Sequence, residues 1–234
     1  MHIKNVPKVL ALIPDGNRRW ALGHSLSFFN GYNLGVKKFI DFADWCKDYG
    51  VKNIVVWAFS TENFKRSKVE QEALFNIYRK VANDGELVSR LHENRTRFNI
   101  VGNRDLLPID LVKALQKIEE DTCAYKERVI NMLIAYGGRD DILQATAAIV
   151  RDAVDRKVKT VSEDLFRTYM PSNGVPDIDL VIRTSGEARL SGFMPWQAGY
   201  SELYFSKKLW PDFTRQDLED ALTDYNNRQR RFGV

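Results

Sequence analysis

The chain of 234 residues is poor in cysteine and histidine: Cys46 and Cys123 stand far apart, with no CxxC pair and no histidine beside either. A disulfide framework and a thiolate zinc site are thereby excluded. No apolar run approaches the ~18 residues that span a bilayer, and the opening Met1-His2-Ile3-Lys4-Asn5 lacks the apolar centre of a signal peptide. The sequence predicts a cytosolic protein and leaves contact with a membrane surface open. The formal charge is +4 and the pI about 9.0, but Lys and Arg are scattered among acids rather than gathered in a stripe interleaved with aromatics, so a nucleic-acid partner is not expected. The patterns GxxxxGK[ST], GxGxxG, GxSxG and HExxH are all missing, which argues against a P-loop hydrolase, a dinucleotide fold, a serine hydrolase and a zinc protease. No repeat or Pro/Gly/Ser-rich linker divides the chain. At 44% hydrophobic and 28% charged residues, it reads as one domain over 1–234 with a well-buried interior.

What the chain does have is short apolar runs separated by amphipathic stretches. Val9 to Ile13, Asn53 to Phe59, Phe98 to Val101, Val129 to Ala135, Leu180 to Ile182 and Leu203 to Phe205 are apolar or β-branched without strict alternation. That is the pattern of strands buried on both faces of a parallel sheet. Between them, Val36 to Tyr49 places Phe39, Ile40, Ala43 and Cys46 at helical spacing and ends before Gly50. A second helix starts at Ser67 and carries Leu74, Ile77, Tyr78 and Val81; others are predicted over Pro108 to Tyr125, Asp140 to Asp155 and Thr214 to Arg228. Such alternation predicts an α/β fold with right-handed crossovers and ligands at the carboxyl ends of its strands.

The residues that follow four of the runs share one chemistry. They are Asp15-Gly16-Asn17-Arg18-Arg19, Ser60 to Arg66, Tyr136-Gly137-Gly138-Arg139-Asp140-Asp141, and Arg183 to Gly192. Glycine lets backbone N–H groups approach an anion, and a helix N-terminus favours negative charge. Arginine offers paired donors to phosphate oxygens, and aspartate is a hard ligand for Mg2+. Taken singly, the Asp-Gly step is equally a plain turn, Ser60 to Arg66 a helix cap with solvated charges, and Gly137-Gly138 a tight turn. Arg183 and Arg189 around a Ser-Gly loop are harder to reduce in this way, since together they can close on one diphosphate. In a parallel sheet all four segments converge on one edge. Asp140-Asp141 has no third aspartate three positions on, so the aspartate-rich magnesium box of trans-type prenyl synthases is absent. A diphosphate site here must use arginines, backbone N–H groups and few carboxylates.

The segments Asp15 to Trp20, Ala58 to Arg66, Tyr136 to Arg139, Asp179 to Gly186, Glu202 to Phe205 and Leu209 to Phe213 resemble the cis-prenyltransferases of the undecaprenyl diphosphate synthase type, along about Val9 to Gly233. The resemblance implies an α/β fold with a six-stranded, mostly parallel sheet surrounded by helices, a hydrophobic tunnel for the growing chain, and pairing with a second copy or a homologous subunit. It implies a Mg2+-dependent condensation of an allylic prenyl diphosphate with isopentenyl diphosphate. By position, Asp15 would bind Mg2+ and assist departure of the allylic diphosphate, cradled by Gly16, Asn17, Arg18 and Arg19, with Trp20, Phe28 and Tyr32 alongside. Arg183, Arg189 and Ser191 would hold isopentenyl diphosphate, and Glu202 would take part in metal binding. Asn63 would sit between the substrates and help proton removal, while Ser60, Glu62, Phe64 and Arg66 would shape the same pocket. Arg231 resembles a C-terminal arginine that reaches a diphosphate across a dimer interface. Leu74, Ile77, Tyr78, Val81 and Leu87 are candidates for the tunnel wall, and equally for ordinary core.

The chain departs from that pattern at three positions. Without gaps from Asp15, the usual diphosphate-binding arginine is Phe28 and the usual histidine is Tyr32, and Ala188 replaces a histidine beside the second arginine set. These changes make the allylic cradle less cationic, or reshape it for a different acceptor. Ser25 to Tyr32 is also similar to family members that carry out irregular, lavandulyl-type condensations. A noncatalytic subunit of a heteromeric enzyme is the other alternative, and the retained Asp15, Asn63 and arginine sets argue against it.

Overall fold

The structure is a computed structural model and describes residues 3, 5–83 and 85–228. The six apolar runs become β1 (Val9–Ile13), β2 (Asn53–Ser60), β3 (Thr96–Val101), β4 (Arg128–Tyr136), β5 (Leu180–Arg183) and β6 (Glu202–Phe205). They form one sheet in the order β3-β4-β2-β1-β5-β6, and every neighbouring pair is parallel. The sheet is thus wholly rather than mostly parallel. Leu10, Leu12, Ile54, Val56 and Ile182 join one core layer with Phe42, Leu74, Leu111 and Leu218. Val9, Ala11, Ile13, Val55 and Val181 join the opposite layer with Tyr136, Phe193 and Met194. Apolar demand on both faces explains the unbroken runs in the sequence.

Helices α1 (Asn17–Gly23), α2 (Phe28–Asp48), α3 (Lys68–Asn83), α4 (Glu86–Glu93), α5 (Ile109–Thr122), α6 (Gly138–Val154), α7 (Glu163–Tyr169) and α8 (Arg215–Asn227) connect and flank the strands. The expected helices are all present, but α2 begins at Phe28 rather than Val36. Its first turns carry Gly31 and Gly35, residues of low helix propensity that interrupt the apolar periodicity there. At Gly35 the missing side chain is a packing requirement, because a Cβ there would lie 2.2 Å from Asn17 Oδ1 in α1. The short α4 and α7 were not expected, since two turns give periodicity too little length to register.

Two features place the site. β1 lies between β2 and β5, and the chain runs from β1 to one side and from β5 to the other, so the carboxyl ends of these strands open on a crevice. The β2–β4 register also shifts between Trp57 and Ser60, a bulge that re-aims the end of β2, and the Ala58 carbonyl there accepts from Tyr78 Oη at 2.7 Å. Cys46 is buried, Cys123 is exposed, and neither is in a disulfide. Among the described residues no helix is long and apolar enough to cross a membrane.

Candidate active site

Asp15 follows the end of β1, and its backbone is fixed before its side chain acts. Its carbonyl accepts from Thr184 Oγ1 at 2.7 Å and from the Trp210 N–H at 3.0 Å. Gly16 then takes φ 107° to start α1, and a Cβ there would meet Leu209 Cδ2 at 2.8 Å, so glycine is needed for conformation and contact alike. The Asp15 carboxylate accepts from Arg183 Nη2 at 2.9 Å and lies 3.4 Å from Arg19 Nη2. Burial pushes this carboxyl up, but Arg183, Ser185 and Arg19 outweigh it and hold Asp15 below the ordinary aspartate range.

Arg183, buried at the end of β5, also donates to Ser191 Oγ at 2.8 Å and to the Arg189 carbonyl at 2.5 Å, while its Nε is buried without a partner. Arg19 donates to Ser185 Oγ at 2.7 Å and pairs with Glu187 at 3.2 Å. Ser185 and Ser191 have φ of 82° and 54°. Left-handed backbone at non-glycine residues stores strain of the kind found at ligand clamps.

After β2, Ser60 and Asn63 cap each other: the Asn63 side chain accepts the Ser60 N–H at 3.2 Å, which locks its rotamer. Arg66 Nη1 donates to Tyr32 Oη at 2.8 Å, and Tyr32 donates to the buried Glu70 at 2.8 Å. Burial pushes the Tyr32 phenol far above its ordinary value, so it keeps its proton.

These groups surround a cavity of about 600 Å³. Its mouth is lined by Asp15, Gly16, Asn17, Arg18, Arg19, Tyr32, Ser60, Glu62, Asn63, Arg66, Arg183 and Ser191. Its interior is apolar, walled by Val36, Phe39, Ile40, Leu74, Tyr78, Val81, Leu87, Phe98 and Met132. Ile77, expected as a candidate for this wall, is buried in the core instead. The cavity is therefore charged at one end and hydrocarbon-like along its length.

Other expected site residues lie off the cavity wall. Trp20 donates to Asp212 at 2.6 Å and stacks on His24. Phe64 packs on Phe59 and Phe75, and Phe28 sits edge-on to Tyr32. The Arg189 guanidinium pairs with Glu187 at 2.5 Å. Glu202 begins β6 level with Leu10, at the opposite end of the sheet from Asp15, and pairs with Arg228 at 2.8 Å. Within one chain it is not brought to Asp15. Arg231 lies outside the described residues. Two carboxylates at the site, Glu70 and Glu187, were missed; the Arg66-to-Glu70 spacing of one helical turn was the available signal.

Among the described residues no three His, Cys, Asp or Glu side chains gather to hold a metal. Asp15, held ionised on the cavity wall, fits Mg2+ as a single protein ligand, because that ion keeps waters and takes substrate phosphate oxygens for the rest.

Comparison with known proteins bears on this arrangement. The profile of the family described as "Putative undecaprenyl diphosphate synthase" matches residues 13–233. The chain belongs to this family of prenyltransferases. A tritrans,polycis-undecaprenyl-diphosphate synthase (geranylgeranyl-diphosphate specific) of Thermococcus kodakarensis is 39% identical over 98% of this chain and 88% of its own. The crystal structure of lavandulyl diphosphate synthase from Lavandula x intermedia, in complex with dimethylallyl diphosphate, superposes with a TM-score of 0.94 at 33% identity, covering 98% of this chain and 99% of its own. A probable undecaprenyl diphosphate synthase from Campylobacter jejuni superposes at 0.80 with 28% identity, over 98% of this chain and all of its own. The chain is an enzyme that transfers prenyl groups, of the cis type.

Proposed function

We propose that this enzyme extends an allylic prenyl diphosphate with isopentenyl diphosphate, using Mg2+ and releasing inorganic diphosphate. One observation carries the reading: a single cavity joins a mouth of arginines to an apolar interior. Gly16, Asn17, Arg18, Arg19 and Arg66 hold the allylic diphosphate, and Arg183 and Ser191 hold the other, joined by Arg189 when its guanidinium leaves Glu187. As the allylic C–O bond breaks, its electron pair leaves with the diphosphate, and donors already in place stabilise that growing charge more than the ground state. Bound at Asp15, Mg2+ would supply further stabilisation of the leaving group. The isopentenyl alkene then forms the new C–C bond, and the released diphosphate takes the proton whose loss completes the double bond. Asn63, fixed by Ser60, positions the reacting groups for that transfer by hydrogen bonding, since a carboxamide does not itself take up the proton. The apolar walls keep water from the cation.

A second reading is an irregular condensation of two allylic diphosphates. The TM-score of 0.94 to lavandulyl diphosphate synthase and the Phe28 and Tyr32 departures favour it. Mass spectrometry of products from a panel of allylic diphosphates, with and without isopentenyl diphosphate, separates the two. Regular extension gives products growing by one isoprene unit and only when isopentenyl diphosphate is present. No product under any combination, even with a homologous subunit added, would overturn both.

The working unit is a dimer. The outer face of α6 supports this, with Leu143, Val150 and Val154 exposed along one stripe, an arrangement a partner surface would cover. The reaction is cytosolic, and exposed Leu22, Leu26 and Phe29 near the mouth support peripheral contact with a membrane.

A further inference from the structure

The arginines of the allylic cradle are countered from behind. Glu70, the third residue of α3, is buried and does not line the cavity, whereas Arg18, Tyr32 and Arg66 do. Its Oε1 accepts from Tyr32 Oη at 2.8 Å and lies 3.2 Å from Arg66 Nη1; its Oε2 lies 3.5 Å from Arg18 Nη1. The two arginines are held unequally. Arg66 is tied both to Glu70 and, at 2.8 Å, to Tyr32 Oη, and its guanidinium stands over the Tyr32 ring at 5.8 Å. Arg18 has only the long contact, on a side chain that is 55% exposed. A guanidinium on so loose a tether swings to a stronger anion when one arrives, while a doubly tied one keeps its aim.

From this geometry we propose that Glu70 is a positioning residue, an internal counter-anion for the cradle. It fixes Arg66 toward the cavity, yields Arg18 to an incoming diphosphate, and takes Arg18 back when the diphosphate departs. The inference rests on the diphosphate reading of the mouth and deepens it. Its consequence is that Glu70 limits how tightly the cradle grips a diphosphate and so favours release of the inorganic product.

The test is calorimetric binding of inorganic diphosphate to the full chain, with inhibition of turnover by the same ion as a second readout. In Glu70→Gln the amide oxygen can still accept from Tyr32, so Arg66 keeps its aim while the competing charge is gone. The variant is expected to bind inorganic diphosphate about fivefold more tightly, the size of one partly exposed ion pair, and to be inhibited by it at correspondingly lower concentration. A residue that only supported the fold would give the opposite, a loss of affinity. Unchanged or weaker binding in a variant that melts like the native chain overturns the proposal. Should Glu70→Gln not fold, Glu70→Asp withdraws the charge from Arg18 by one methylene and is expected to tighten binding about twofold; no tightening overturns the proposal equally. If the native chain itself binds no inorganic diphosphate, the reading of the mouth fails and this inference with it, whereas native binding with an unresponsive Glu70 removes this inference alone.

Discussion

At the residue scale, Asp15 is held between Arg183 at 2.9 Å and Arg19 at 3.4 Å. On the proposed reading, a diphosphate that engages those guanidinia would release the carboxylate to a cation, so that metal and substrate binding would support each other. Asp15→Ala is expected to lower kcat at least ~100-fold, the loss typical of a group that acts on developing charge. Its affinity for isopentenyl diphosphate, measured by calorimetry, is expected to change far less, because Arg183 and Ser191 remain. A fall in affinity as large as the fall in kcat would assign Asp15 to substrate binding instead. The Asp15 to Arg19 run was legible from the sequence because carboxylate, glycine and guanidinia crowd into five positions. Glu70 was not, because a glutamate in the first turn of a helix is ordinarily a favourable partner for the helix dipole and nothing more.

At the element scale, two helix ends make separate predictions. In α8, Asp217 accepts from the Thr214 N–H at 2.8 Å and Lys208 Nζ at 2.8 Å, closing a capping box. Burial pushes the Asp217 carboxyl up, but Lys208 and Thr214 prevail and hold it below the ordinary value. A depressed acid contributes stability above its unfolded pKa and loses it as pH falls through the folded one. Asp217→Ala is therefore expected to cost about 1 kcal/mol at pH 7, with the difference from the native chain shrinking below about pH 4; melting curves at both pH values check this.

The far end of the cavity is closed by Phe39 and Ile40 of α2 and Leu87 of α4, which also line a smaller cavity of about 30 Å³ beyond. Leu87→Ala joins the two spaces and is expected to shift products toward longer chains on reversed-phase chromatography; an unmoved distribution would show that the end wall lies elsewhere. Leu87 was named from the sequence, but α4 itself was not, since an eight-residue helix shows too few turns to declare its period.

At the scale of the whole molecule, the parallel sheet brings four segments scattered from Asp15 to Gly192 to one edge, and the outer stripe of α6 is the exposed apolar face on which the proposed dimer rests. Val150→Asp on that stripe is expected to shift sedimentation toward the monomer while leaving far-UV circular dichroism intact. Unaltered association in the folded variant would place the interface on another face.

The sequence by itself determined the strand set and the α/β class and pointed to the chemistry proposed for the site, because each of these is written in local patterns: unbroken apolar runs, helical periodicity, and arginines set beside Gly, Ser and Asn. Only the tertiary structure decided which candidates meet. It drew Arg183 onto Asp15 across neighbouring strands, turned Phe64 into an aromatic cluster, left Glu202 at the far end of the sheet with Arg228, and set Glu70 behind the cradle. These outcomes depend on register and crossover, which bring together residues as distant in sequence as Asp15 and Arg183, 168 positions apart, and no local pattern encodes a distance of that kind.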